Sequence, residues 1–194
     1  MPTARDTIRP ATRAEWREWL AANHDRAPGV VVEYQKRNSP VTGPTYEDIV
    51  EEALCFGWID GTLRPVDDDV TSIWFSPRKP GSVWAASNKA RVERLAAAGL
   101  MAPAGVAAVE RARADGSWNA LDAVDALVLS EDLAAAFERH PGARERYDAL
   151  SPSARRQVLY WVYSAKRADT RARRVDLAAA HTQAGLRPDQ WPRG

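Results

Sequence analysis

The sequence predicts an α+β fold, with a small antiparallel sheet and helices in the N-terminal half and a helical C-terminal half. Three observations lead there. The stretch GVVVEYQKR at 29–37 is rich in β-branched residues and reads as a strand. WIDGTLRPV and TSIWFSP flank Asp67-Asp68-Asp69, the pattern of a hairpin with an acidic turn. From Ser82 onward the chain is divided by helix start and stop residues. In order, Thr12-Arg13-Ala14-Glu15 forms a capping box for a helix over 13–22, whose Trp16, Trp19 and Leu20 share one face. The strand follows, and Thr45-Tyr46-Glu47-Asp48 opens a second helix that Gly57 stops. After the hairpin, Ser82 is the expected N-cap of a helix over 83–98 ended by Gly99. The next helix runs over 103–115, from Pro103 to the stop at Gly116. Residues 118–129 read as an irregular connection. Ser130 and Ser151, the latter followed by Pro152, cap the last helices, which run to about Gly185.

Composition narrows the function. With 27 basic and 26 acidic residues there is no global field to draw in nucleic acid or lipid, so any such attraction needs a local patch. The charged first twenty residues lack the apolar stretch of a signal peptide, and no later run approaches a membrane span, so a cytoplasmic location is expected. One cysteine excludes an internal disulfide. His24, His140 and His181 show no zinc-like spacing, and neither metal nor cofactor is expected. The turn aspartates 67–69 read as solvated rather than as a cation site. Eight tryptophans are many for 194 residues; such rings build cores and also line ligand sites.

Cys55 falls on the helix face opposite Ile49, Val50, Ala53 and Leu54, among Asp48, Glu51 and Glu52. Carboxylates and a helix C-terminus disfavour a thiolate, so a catalytic cysteine is not expected. Beyond Gly57, strand alternation puts Trp58 and Asp60 on one side, a carboxylate beside an aromatic wall. Arg78 and Lys79 stand just ahead of the helix expected to start at Ser82. Two cations, a hydroxyl and free helix N–H groups there would suit an anion. Along that helix Trp84, Asn88, Val92 and Leu95 make one stripe. The amide that interrupts it needs a partner in backbone, in Asp60, in an arginine or in a ligand. No GxxxxGK or GxGxxG phosphate loop is present.

ALCFGWIDG, PRKPGSVWAASNK, the GLMAPAG turn and LSPSARRQVLYWVYSAKRADTRARR, in this order over about residues 13–180, resemble the YdeI/OmpD-associated proteins, also labelled bacteriocin-protection proteins. Ala85 stands where the family pattern has serine. The resemblance implies a protective or stress-related role, resistance to antimicrobial peptides, and association with an outer-membrane porin; it brings no established catalytic residues. The absent signal peptide argues against direct porin contact. The expected organisation is an α+β domain over 1–120 bearing a pocket, with a helical OmpD-associated-type region, 121–194, packed on it.

Read as one helix, 155–174 gathers Arg155, Arg156, Lys166, Arg167, Arg171, Arg173 and Arg174 on one arc, against a stripe of Val158, Trp161, Val162 and Ala165. Three functions follow. The leading one is a cytosolic protective protein that binds a small anionic or aromatic ligand through Trp58, Asp60, Arg78, Lys79, Ser82, Trp84 and Asn88. The second is an enzyme with Asp60 as acid or base. The third is a nucleic-acid-binding module acting through the basic helix.

Overall fold

A two-residue strand, β1 (Thr7–Ile8), precedes helix α1 (Arg13–Asn23), which Thr12 starts by accepting the Glu15 N–H at 3.2 Å. The computed structural model describes residues 6–36, 39 and 42–191. Strand β2 (Val30–Gln35) follows; position 37, the last of the predicted strand, lies outside the described residues. Helix α2 (Tyr46–Cys55) opens on a complete capping box. The Thr45 Oγ1 accepts the Asp48 N–H, and the Asp48 carboxylate accepts the Thr45 N–H at 2.9 Å. Strands β3 (Trp58–Pro65) and β4 (Val70–Pro77) form the hairpin. Its turn is held by Asp67, whose Oδ1 accepts the N–H groups of Asp69 and Val70. Helices α3 (Ala86–Ala97) and α4 (Pro103–Ala114) complete the first of two units, Met1–Asn119.

The sheet order is β1-β2-β4-β3, antiparallel except for β1, which pairs parallel with β2 and was not anticipated. Alternation decides what faces the core: Val30 and Val32 of β2, with Ile73 and Phe75 of β4, point inward. Against them pack Trp16 and Leu20 of α1, then Ile49, Val50 and Leu54 of α2, all essentially solvent-free. Each such side chain contributes roughly 1.5–3 kcal/mol by burial. The Trp16 indole N–H also donates to the Ile49 carbonyl at 2.9 Å. On the edge of α2 the nearly buried Glu52 is gripped from both sides, by Arg13 Nε and Arg17 Nη1, each at 2.6 Å.

Cys55 departs from the expected exposed face, for it is fully buried. Helix α4 crosses the C-terminal end of α2, and a Cβ added at Gly105 would lie 2.1 Å from the Cys55 carbonyl oxygen. A single helix wheel cannot show that a second helix covers its polar side. Burial and the nearby Glu52 charge push the thiol pKa up, so the cysteine remains unsuited to nucleophilic work.

The helix expected from Ser82 begins later. Its N-cap is Ala85, which makes no side-chain cap bond, and the Ser82 N–H turns back to the Lys79 carbonyl at 3.1 Å. Gly81, at φ +73, makes the turn that keeps 80–85 out of the helix.

The second unit, Ala120–Gly194, is helical: α5 (Asp122–Asp125), α6 (Glu131–Arg139), α7 (Ala143–Asp148), α8 (Pro152–Tyr163) and α9 (Ala168–Gln183), with a 3-10 turn at Pro188–Gln190. Leu133, Phe137, Tyr147, Val158 and Val175 belong to its buried set. The predicted helix 155–174 is broken: α8 stops at Tyr163, and α9 begins at Ala168. The seven cations therefore belong to two helices and the link between them. Among the described residues no helix is long and apolar enough to cross a membrane.

Candidate functional site

The first unit carries a small cavity lined by Arg78, Lys79, Ser82 and Trp84 on one side and by Arg111, Asp115 and Ser117 on the other. The first group comes from the segment between β4 and α3. The second comes from the end of α4 and the turn after it. Four of the seven residues proposed for a ligand site thus share one cavity. Its free space is about 10 Å³, room for one water-sized atom.

Arg78 is the unusual member. Its backbone N–H donates to the Gly57 carbonyl at 3.0 Å, which fixes where the side chain starts. The guanidinium carbon lies 3.6 Å from the ring centre of Trp84, itself 1% exposed and packed against Trp118. Nη1 donates to the Val83 carbonyl at 3.2 Å. Nε and Nη2 are buried and, among the described residues, find no acceptor. The residue is 9% exposed, and burial pushes its pKa down to about 10, with only the Asp60 charge acting to raise it. Buried charges are ordinarily paired, and buried N–H groups bonded. Among the described residues Arg78 has neither a carboxylate within ion-pair distance nor acceptors for these two nitrogens.

The far wall is tied to the near one. Asp115 accepts the Gly81 N–H at 3.1 Å and the Ser117 N–H at 2.9 Å. The Ser117 hydroxyl, the backbone N–H of Ser117 and that of Gly81 hold the Asp115 carboxyl below its usual range. That hydroxyl is buried beside the carboxylate without a well-directed hydrogen bond. At the mouth, the exposed Lys79 and Arg111 leave the lining richer in cations than in carboxylates.

The other three candidates lie elsewhere. Trp58 is 1% exposed, sits edge-on to Trp19, and donates its indole N–H to the His24 carbonyl, a core position. Asp60 accepts the Tyr46 hydroxyl at 3.0 Å and reaches Arg78 only as a charge at longer range. Burial and that aspartate push the Tyr46 phenol up to about 12. The Asn88 amide oxygen accepts from Arg91 Nη1 at 2.8 Å, and Arg91 in turn holds Glu47 with Nε and Nη2. Sequence reasoning missed the Asp115-Gly116-Ser117-Trp118 wall. Its one signal was a short polar turn ending in tryptophan directly after a helix stop.

Two larger, open clefts offer less. One of about 910 Å³ runs past Tyr34, Tyr46 and Leu63. Another of about 650 Å³, in the second unit, is lined by Tyr160, Trp161 and Trp191. Of the seven cations, Arg171 pairs with Asp132 and Arg167 with Asp169. Arg174 donates to the Trp161 carbonyl, and Arg155 to the carbonyls of Asp148 and Leu150. Arg156, Lys166 and Arg173 are exposed. Among the described residues no group of three or more histidine, cysteine or acidic side chains could hold a metal ion.

Fold and site together define a protein with an α+β unit bearing a buried arginine cavity and a separate helical unit. The chain belongs to the family described as Domain of unknown function (DUF8412), whose model matches residues 8–108. Residues 126–185 match the family described as Bacteriocin-protection, YdeI or OmpD-Associated, which places the YdeI/OmpD-associated domain in the helical unit. Of the four motifs behind the resemblance, the last lies in that domain and the first three lie within 8–108. No curated protein and no solved structure matches the chain.

Proposed function

We propose that the protein is an anion-binding protein of the YdeI/OmpD-associated type, acting in the cytoplasm in a protective or stress-related role. Its ligand is a small anionic group received at Arg78. The observation that carries this reading is the buried Arg78 guanidinium, stacked on Trp84, with two nitrogens that find no acceptor among the described residues. A buried donor left unpaired costs on the order of 1–3 kcal/mol, and a structural arginine would have been paired within the fold. An incoming anion removes that cost and neutralises the charge at once. Lys79 and Arg111 at the mouth would draw the anion in, an effect that weakens with salt.

The test is thermal unfolding of the whole chain across a panel of sodium acetate, phosphate and sulfate at constant ionic strength. At least one anion should raise Tm in the wild type, and none should do so in Arg78→Met. A panel without effect on the wild type would end the anion-binding reading. The protective role is tested separately. Cells lacking the gene are challenged with a cationic antimicrobial peptide and complemented with wild type or Arg78→Met. Restored survival with the wild type alone ties protection to the site; equal rescue by both separates the two.

A further inference from the structure

Resting on the anion-binding reading, we infer that the group received by Arg78 is a carboxylate, presented end-on by a molecule whose remainder stays outside the cavity. The three donor nitrogens of an arginine are not equivalent. Nε and Nη2 point along one edge of the guanidinium as two parallel donors, the fork that matches a carboxylate. In Arg78 it is this edge that is free, because Val83 occupies Nη1.

Elsewhere in the protein that edge takes backbone carbonyls in Arg155, and carboxylates in Arg9, Arg91 and Arg171. Arg91 grips Glu47 with Nε to Oε1 at 2.9 Å and Nη2 to Oε2 at 2.7 Å. Arg171 grips Asp132 with Nε at 2.7 Å and Nη2 at 3.0 Å. Arg9 turns both nitrogens onto the single oxygen Oε2 of Glu33, at 3.1 and 2.6 Å. Arg78 carries the same fork, buried, with no side-chain carboxylate on it among the described residues.

The size and shape of the space select among anions. A cavity of about 10 Å³ accepts one oxygen, so the Arg9 arrangement, with one oxygen shared by both N–H groups, is the geometry that fits. A carboxylate is flat and can enter in the plane of the fork, its second oxygen left at the mouth toward Lys79, Ser82 and Arg111. Phosphate and sulfate carry oxygens above and below any such plane. On one face of the Arg78 guanidinium that volume is filled by Trp84 at 3.6 Å. A water would satisfy the two donors but leave the buried charge uncompensated. A free organic acid and a peptide C-terminus both present this carboxylate, and the titration below distinguishes them.

The experiment titrates the full-length protein by tryptophan fluorescence, since Trp84 and Trp118 adjoin the site. The probes are acetate, inorganic phosphate, and one short peptide in free-acid and C-terminally amidated forms. Acetate should bind at least ~10-fold more tightly than phosphate, and Arg78→Lys, which keeps a cation but loses the fork, should weaken acetate by ~10-fold or more. Free-acid peptide binding with none by the amide assigns the carboxylate to a chain terminus. Acetate binding with neither peptide bound assigns it to a free acid. Phosphate binding as tight as acetate would overturn the carboxylate inference and leave the anion reading standing. Binding of neither would overturn both. Undiminished acetate binding by Arg78→Lys would show that charge alone, not the fork, holds the ligand.

Discussion

Replacing Arg78 by methionine keeps an unbranched side chain against Trp84 and removes the charge with its donors. Two sets of terms oppose one another in the unliganded protein. The variant sheds two unpaired buried nitrogens, Nε and Nη2, each costing about 1–3 kcal/mol. It loses one charged hydrogen bond to the Val83 carbonyl, worth about 1.5–3 kcal/mol, and a desolvated cation–π contact of about 2 kcal/mol. These nearly cancel, so stability without ligand should change by less than about 2 kcal/mol. Removing one member of a satisfied buried ion pair would instead cost about 3–5 kcal/mol. With ligand the proteins separate. Acetate at a hundred times its Kd should add about 2.7 kcal/mol to the wild type and nothing to Arg78→Met. In a chain of this length that is a rise in Tm of roughly 5–10 °C. The assay is urea unfolding and thermal melting of both proteins with and without acetate. A loss of 3–5 kcal/mol in the variant, with no acetate effect on the wild type, would show that Arg78 is a structural cation whose partner is a protein group such as Asp60.

Three further outcomes are expected. Gly105→Ala adds a Cβ 2.1 Å from the Cys55 carbonyl oxygen, so α4 must retreat from α2. Overpacking of about 1–3 kcal/mol and the weakened Ala102 N–H to Cys55 bond should outweigh a helix-propensity gain near 1 kcal/mol. A higher urea midpoint for that variant would refute the close crossing. Arg13→Ala leaves the buried Glu52 with Arg17 alone and should destabilise by roughly 1–3 kcal/mol. Adding Arg17→Ala should then cost more in that background than alone, which a double-mutant cycle in urea measures. Finally, acetate affinity should fall as pH rises through about 10, where the buried Arg78 loses its proton well before an ordinary arginine would. In the absence of acetate the sign reverses for stability. The lowered folded pKa means that the unfolded chain binds the proton more tightly, so this group's destabilising contribution is relieved between pH 10 and its unfolded value. Acetate titrations at pH 8 and 11, run on wild type and Arg78→Lys, check it; affinity unchanged at pH 11 would show that Arg78 keeps its proton and would contradict the lowered pKa.

Local signals carried the fold class. The capping box at Thr45, the strand at Val30 and the Asp67 turn formed where local spacing placed them, whereas at Thr12 only half the box formed: its hydroxyl accepts the Glu15 N–H, but the Glu15 carboxylate takes the Ala11 N–H instead of that of Thr12. The failures share a different cause. Ser82 has the chemistry of an N-cap, but the Gly81 turn and the Lys79 carbonyl claim it first, and Ala85 starts the helix without a capping side chain. Residues 164–167 carry no glycine or proline, yet the helix breaks there. Arg174 then reaches back across the break to the Trp161 carbonyl and the Ser164 hydroxyl. Cys55 is buried because a helix from later in the chain lies on it. At the candidate site, Arg78, Lys79, Ser82 and Trp84 were legible as a local run of cations and aromatics. Asp115 and Ser117 were not, since only tertiary packing brings them opposite. Nor could sequence show that Trp58 points into the core, or that Arg78 spends one nitrogen on Val83 and keeps its fork free.

The most direct measurement is a high-resolution crystal structure of the protein grown with acetate at neutral pH. Planar density with one oxygen about 2.7–2.9 Å from both Nε and Nη2 of Arg78 is the predicted result. A lone water there, or the Asp60 carboxylate drawn onto the fork, would contradict it.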